Sequence, residues 1–258
     1  MPMRAAMRFL AWPAIVVTLS VGTAAQAASF SCRETPIVQS HAVLAPLAEK
    51  VAQGRPLAIL AIGSSSTEGI GASAKDKTYP ARLQALLAKA WPKSRIEIVN
   101  AGIGGETAPQ TLVRLETALI ERRFDLVIWQ VGTNDAVKGG DLDTFRDMVG
   151  EGIRLVKKAK TPLAILDPQF FPSMRNPANY ERFVTAVTDV AQRANVPVFT
   201  RYETMREWYA NDADAFKAAL WTDGFHMSDA GYDCLARDMA NALVGMTTQA
   251  RPVVAESR

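Results

Sequence analysis

Three consecutive serines, Ser64, Ser65 and Ser66, follow Gly63 at the end of an apolar run. Far downstream, Asp223-Gly224-Phe225-His226 sets a carboxylate three residues before a histidine. A serine hydroxyl is a poor nucleophile until a neighbouring base takes its proton, and the base works best when a third group fixes its orientation. Hydroxyl, imidazole and carboxylate are therefore the parts of an acyl-transfer centre. Two further segments hold donors of the kind that receive a developing oxyanion. Asn100-Ala101-Gly102-Ile103-Gly104-Gly105-Glu106-Thr107 exposes backbone N–H groups through its glycines, and Gly132-Thr133-Asn134-Asp135 offers a side-chain amide.

Each feature also has a plainer reading. Ser65 and Glu68 have the spacing of a helix capping box. The glycines suit a tight turn, Asn134 suits a left-handed turn position, and Asp223-Gly224 is itself a turn signal. Other chemistries fit less well. Thr67 stands where a G-x-S-x-G turn needs its second glycine, and no Gly-Lys-Ser/Thr follows to build a phosphate loop. Gly102-Ile103-Gly104-Gly105 lacks the G-x-G-x-x-G spacing of dinucleotide binding and follows the second apolar run, not the first. Separate turns do not explain why all four segments together complete one site.

The elements that must position these residues alternate along the chain. Apolar runs at 57–62, 96–99, 126–131, 163–166 and 196–199, bounded by polar, Gly or Pro residues, predict five strands. The first run does not alternate with polar residues, which suits a strand covered on both faces. Between the runs lie stripes at helical spacing: Leu83, Leu86, Leu87 and Ala90; Leu112, Leu115 and Leu119; Leu142, Phe145, Val149, Ile153 and Val156; Phe183, Val187, Val190 and Ala194. Tyr232, Leu235, Met239 and Leu243 form a last stripe. Strict alternation implies a parallel sheet with helices on both faces: an α/β fold, a three-layer α/β/α sandwich of flavodoxin-like order with a five-stranded parallel sheet. In such a sheet, segments that follow strands share one edge, so the four polar segments meet there.

The composition, 48% hydrophobic and 21% charged over 258 residues, is that of one ordinary globular domain. Residues 1–27 differ in kind. Arg4 and Arg8 precede an apolar segment over residues 9–21, and Ala25-Gln26-Ala27 gives a small-x-small cleavage pattern, the order of a secretory signal peptide. The apolar part is short for a membrane span and contains Pro13. Ser29-Phe30-Ser31 before Cys32 lacks a leucine-rich lipobox. The expected organisation is a signal peptide over 1–27, one domain over 28–246 and a polar tail over 247–258, with the mature protein periplasmic or secreted and not inserted in the membrane. Cleavage removes two arginines and leaves 27 basic against 26 acidic residues, so charge gives no case for a nucleic-acid partner. The two cysteines, Cys32 and Cys234, are expected to pair in an oxidising compartment.

With these segments in order, the chain resembles the SGNH hydrolases, the GDSL-type esterases and lipases, over roughly residues 57–246. The resemblance assigns the nucleophile to Ser65, the oxyanion-hole glycine to Gly105, the amide donor to Asn134, and the carboxylate and base to Asp223 and His226. The Ser65 backbone N–H is the further oxyanion donor. Ser64 stands where the family usually has aspartate, which bears on how the nucleophile turn is braced. The resemblance implies an acyl-serine mechanism with no metal or organic cofactor, acting on small-molecule or glycan esters. Short post-strand loops with no apolar insertion favour acetyl-like groups. The longest segment that could wall an acyl site, Gln169-Phe170-Phe171-Pro172-Ser173-Met174-Arg175-Asn176, mixes aromatic and polar residues. A lysophospholipase or acyl-thioesterase of the same family is the alternative, and a non-catalytic carbohydrate-binding protein is the alternative of another class. Oligomeric state is not legible.

Overall fold

The computed structural model describes Phe30, Cys32 and residues 44–249; the expected signal peptide and most of the expected tail lie outside these. Helix α1 (Ala45–Ala52) leads into β1 (Leu57–Gly63), the one-turn helix α2 (Ser65–Glu68) and α3 (Tyr79–Ala90). Then come β2 (Ile96–Gly102), α4 (Ala108–Glu121), β3 (Leu126–Gln130), the short α5 (Thr133–Val137) and α6 (Leu142–Lys158). The chain continues through β4 (Leu163–Leu166), α7 (Pro177–Arg193), β5 (Val198–Phe199), α8 (Arg201–Asn211) and the short α9 (Ala213–Phe216), and α10 (Asp229–Gln249) is the last described element.

The five strands are ordered β2-β1-β3-β4-β5, and every neighbouring pair is parallel. Strand periodicity divides their apolar residues between two faces. Leu57 and Ile59 of β1, Leu126 and Ile128 of β3, and Ala164 and Leu166 of β4 join the core under α1, α3 and α10, where Leu47, Leu83, Leu87, Tyr232, Leu235, Met239 and Leu243 pack. Leu60, Ile62, Val127, Trp129, Leu163 and Ile165 face the other way, onto Leu115, Phe145, Val149, Ile153, Phe183 and Val187 of α4, α6 and α7. This is the three-layer sandwich expected from the alternation; the centres of the anticipated stripes are buried, while their ends, such as Leu119 and Leu142, are half-buried and Ala90 is exposed.

Three local differences have physical causes. The run at 196–199 forms ladder only at Val198 and Phe199, since Pro197 has no N–H to give, although its carbonyl accepts from Ile165 at 2.9 Å. The apolar run through Val131 stops pairing as a strand at Gln130, whose side chain turns to the β1 end. Helix α8 was not expected, since its buried positions mix Met205 and Trp208 with Arg201 and Thr204 and so break the apolar stripe.

Cys32 and Cys234 are disulfide-bonded, with Cα atoms 5.3 Å apart, which ties the segment before α1 to the second turn of α10. Phe30 packs edge-on against Trp208 of α8 at 5.4 Å. Among the described residues no helix is long and apolar enough to cross a membrane.

After β1 the chain crosses to β2 on one side, and it later returns to β3 on the other. The crevice beyond the carboxyl ends of β1 and β3 is thus the topological switch point, where open α/β sheets bind ligands.

Candidate active site

At the switch point β1 ends in Gly63 and the three serines turn directly into α2. The turn is pressed against the end of β2: a Cβ on Gly102 would lie 1.9 Å from the Glu68 nitrogen, so no larger residue fits there. The serines have different environments. Ser64 donates through its backbone N–H (2.7 Å) and Oγ (3.1 Å) to Gln130 Oε1, which also accepts from Thr67 Oγ1 at 3.3 Å. Ser66 Oγ donates to Gln169 Oε1 at 2.9 Å. Ser65 Oγ has no hydrogen-bond partner within the described chain. Of three adjacent hydroxyls, two are anchored and one is unengaged. Glu68 forms no capping box with Ser65; its Oε2 accepts from the Gly104 N–H at 2.6 Å.

The segment after α9 carries Asp223 and His226 on a pinned loop. Leu220 and Met227 form an isolated antiparallel bridge at its base, and Trp221 N–H donates to the His226 carbonyl at 2.7 Å. Asp223 Oδ1 accepts from the backbone N–H groups of Phe225 and His226, both at 2.9 Å, while Oδ2 lies 2.6 Å from His226 Nδ1. Burial raises the Asp223 carboxyl, but the His226 ring and these two N–H groups outweigh it and hold the group below its ordinary value. An ionised Asp223 requires the hydrogen on Nδ1, which leaves Nε2 as an acceptor. Gln169 links the two halves, since its Nε2 donates to the Phe225 carbonyl at 2.7 Å while its Oε1 holds Ser66. Tyr232 Oη adds a second tie, donating to the Ile70 carbonyl at 2.7 Å.

The glycine segment lies over Ser65: a Cβ on Gly104 would sit 3.9 Å from Ser65 Cβ. Its peptides are fixed on both sides of the Gly105 nitrogen. Glu68 takes the Gly104 N–H, and Lys138 Nζ donates to the Gly105 carbonyl at 2.7 Å. The Gly105 and Ser65 N–H groups have no acceptor within the described chain. Asn134 Nδ2 donates one hydrogen to the Glu106 carbonyl at 2.8 Å, which orients the amide and leaves its second hydrogen unassigned. Arg114 of α4 ties the loop to the sheet, donating to the Ala101 carbonyl (2.8 Å), the Gly63 carbonyl (3.2 Å) and the Glu106 carboxylate.

Two buried carboxyls support the floor. Asp135 Oδ1 accepts from Ala108 N–H at 2.9 Å at the start of α4, and burial raises its carboxyl above the ordinary value. Asp167, past the end of β4, is pushed up to about 7 by burial, against the opposing effects of the Tyr202 N–H and the Arg201 guanidinium. Arg201 is fully buried and donates through Nε and Nη2 to the Asp167 carbonyl, which fixes the backbone two residues before Gln169.

All five residues expected from the sequence, Ser65, Gly105, Asn134, Asp223 and His226, lie on segments joined by these bonds at one edge of the sheet. The sequence reading missed Gln130, Arg114 and Lys138, and it placed Gln169 in a wall segment and not as the tie between Ser66 and the His226 loop. Gln130 did leave a signal, as the one polar residue inside an apolar run. The two aromatics of the expected wall pack on other rings: Phe171 on Tyr180 and Phe225, and Phe170 on Tyr202, Tyr209 and Phe216. Among the described residues no group of three or more His, Cys, Asp or Glu side chains is placed to hold a metal ion.

Fold and site define an SGNH/GDSL-type hydrolase. The model of the Non-GDSL lipase-like family matches residues 31–249, and the chain belongs to that family. Ser64, standing where GDSL sequences carry aspartate, accords with that description. The chain is 29% identical over 193 residues to an acetylxylan esterase of Geobacillus stearothermophilus, covering 68% of this chain and 85% of that protein. It is 28% identical over 145 residues to thioesterase 1/protease 1/lysophospholipase L1 of Escherichia coli K12, covering 54% of this chain and 64% of that one. In fold it is similar to a two-domain esterase active on acetylated mannans, with TM-score 0.72 and 21% identity; 86% of this chain is covered, but the chain spans only 59% of that protein.

Proposed function

We propose that this protein is an exported serine esterase that hydrolyses short, acetyl-like esters, those of carbohydrates among them, through an acyl intermediate on Ser65. The observation that carries the reading is the unengaged Ser65 hydroxyl, between two anchored serines and joined through Gln169 to the loop of a carboxylate-oriented histidine. Ser65 Oγ attacks the ester carbonyl carbon while His226 Nε2 takes its proton. The oxyanion is met by the Ser65 and Gly105 N–H groups and the second Asn134 amide hydrogen. Collapse breaks the bond to the alcohol, which leaves with the proton from His226. Water then attacks the acyl-serine, giving its proton to His226, and departure of the carboxylic acid returns a proton to Ser65.

Short acyl groups are favoured because no apolar insertion follows the nucleophile turn, and the two aromatics of the longest post-strand segment, Phe170 and Phe171, make their contacts with other rings. The acetylxylan esterase relative supports the same choice. The thioesterase and lysophospholipase relative supports the alternative of longer acyl chains. A 4-nitrophenyl ester series from acetyl to palmitoyl separates them. Each buried methylene is worth about 0.8 kcal/mol, so a long-chain site gives kcat/KM climbing steeply with length. A flat or falling series, with acetate released from acetylated xylan, supports the proposal, and a steep climb overturns it. Fluorophosphonate labelling that maps to Ser65 supports the nucleophile; no labelling and no turnover would leave a non-catalytic carbohydrate-binding protein. Export predicts an intact mass beginning at Ala28.

A further inference from the structure

Trp221 lies two residues before Asp223, yet 46% of its surface is exposed. Burying an indole stabilises a fold, so one left open beside a reactive loop carries a cost in that loop's stability. The ring is not on a mobile strand end. Its backbone N–H is bonded to the His226 carbonyl at 2.7 Å, its carbonyl accepts from Gly224 at 2.9 Å, and the loop base is closed by the Leu220–Met227 bridge. Gly71 passes close against this loop: an added Cβ there would lie 3.0 Å from Trp221 Cβ and 3.3 Å from His226 Cβ. The preceding residue, Ile70, is also exposed.

Trp221 forms one wall of an open cleft of about 450 Å³, whose other sides include Gly71, Ser73, Ser228 and Asp229. Asp229 Oδ1 and Oδ2 accept from Ser73 N–H (2.8 Å) and Oγ (2.5 Å). Burial raises the Asp229 carboxyl, but the Ser73 bonds, with Lys77 and Arg82 nearby, leave it below its ordinary value and ionised at neutral pH. Each oxygen keeps further acceptor capacity. The cleft therefore sets a flat apolar face against fixed hydrogen-bond acceptors. A pyranose ring matches both, with C–H faces that stack on an indole and hydroxyls around its edge. An alkyl chain would leave the carboxylate unmatched, and a peptide or nucleic acid is not selected by this single aromatic and single anion.

We infer that Trp221 and the Ser73–Asp229 edge form a sugar-binding subsite, which stacks a pyranose ring of a saccharide ester beside the His226 loop. This rests on the esterase reading above and adds the alcohol side of the substrate.

The test compares wild type, Trp221→Ala and Trp221→Phe on 4-nitrophenyl acetate and on O-acetylated xylo-oligosaccharides. For Trp221→Ala, KM for the saccharide should rise about tenfold with kcat within about twofold, because binding unrelated to the chemistry is lost. Kinetics on 4-nitrophenyl acetate should be unchanged, and Trp221→Phe should recover most of the saccharide KM. Unchanged saccharide KM in Trp221→Ala overturns the subsite while leaving the esterase reading intact. Equal losses on both substrates also overturn it, since they mark a loop-bracing role. Wild type that cleaves 4-nitrophenyl acetate but no saccharide ester overturns the carbohydrate reading itself, and the subsite with it.

Discussion

Asp223 meets the His226 ring at Nδ1 over 2.6 Å, and its other oxygen takes the backbone N–H groups of Phe225 and His226 at 2.9 Å. The carboxylate thus shapes the loop and sets the imidazole tautomer at once. The two functions separate in Asp223→Asn. The amide oxygen can still accept from the backbone, but an amide nitrogen facing Nδ1 favours the wrong tautomer. In a serine protease the corresponding change lowers kcat about 10⁴-fold, and a loss of that order is expected here. The depressed carboxyl gives a signed pH effect. Its contribution to stability is present above the ordinary aspartate value of about 3.9 and is lost as pH falls through the lower, folded value. Urea titrations at several acidic pH values should show that loss in wild type and not in Asp223→Asn.

Gln130 braces the serine turn: one side-chain oxygen receives Ser64 N–H, Ser64 Oγ and Thr67 Oγ1. Gln130→Leu keeps the approximate volume and removes the acceptor. Leaving the buried Ser64 N–H unsatisfied costs about 1–3 kcal/mol, readable as a lower urea midpoint with unchanged slope. Ser65→Ala should abolish turnover with little change in stability, and Ser64→Ala and Ser66→Ala should retain turnover but lower the midpoint.

The strands were legible because unbroken apolar runs predict buried strands, a local pattern. Serine, carboxylate and histidine announce an acyl-transfer chemistry by type, but the choice of Ser65 among three adjacent serines came from the family resemblance. What holds them was not legible. Ser64 is joined to Gln130 across 66 positions, and Ser66 to Gln169 across 103. No spacing rule connects such pairs before the sheet order is known. The Glu68 case runs the other way: its spacing from Ser65 fits a cap, but packing of the β2 end against α2 brings Gly104 N–H closer to hand. Arg201 at the start of α8 reads as a surface residue until Asp167 is placed beside it.

The disulfide closes a loop whose ends are 202 positions apart. In the chain-entropy model such a cross-link stabilises by about 5 kcal/mol, an upper value when the unfolded chain keeps residual structure. Replacing both Cys32 and Cys234 by alanine avoids burying a hydroxyl at position 234, which is 1% exposed. The double variant should unfold at markedly lower urea than the oxidised protein. Wild type kept in reductant should approach the variant, and a midpoint insensitive to reductant would count against the bond's contribution.

Arg114 is the residue on which the geometry of the proposed oxyanion donors converges. Its guanidinium spans the Ala101 and Gly63 carbonyls at the ends of β2 and β1 while pairing with Glu106, whose own carbonyl orients Asn134 Nδ2. A planar fork with five donors can hold all three partners, whereas a lysine ammonium is a point charge on a flexible stem. Arg114→Lys therefore keeps the charge opposite Glu106 but loosens the loop that carries Gly105. Since Arg114 acts through Gly105 and Asn134, the cost should fall on the transition state, where misplacement by about 1 Å can lower the rate 10²-fold. The expected result is kcat reduced about 10–10²-fold with KM nearly unchanged. Asn134→Ala, which deletes one donor outright, should cost about 10²–10³-fold. Combining the two should give less than the product of the separate losses, because the amide that Arg114 helps to position is then already gone. Fully multiplicative losses would show that Arg114 and Asn134 act independently.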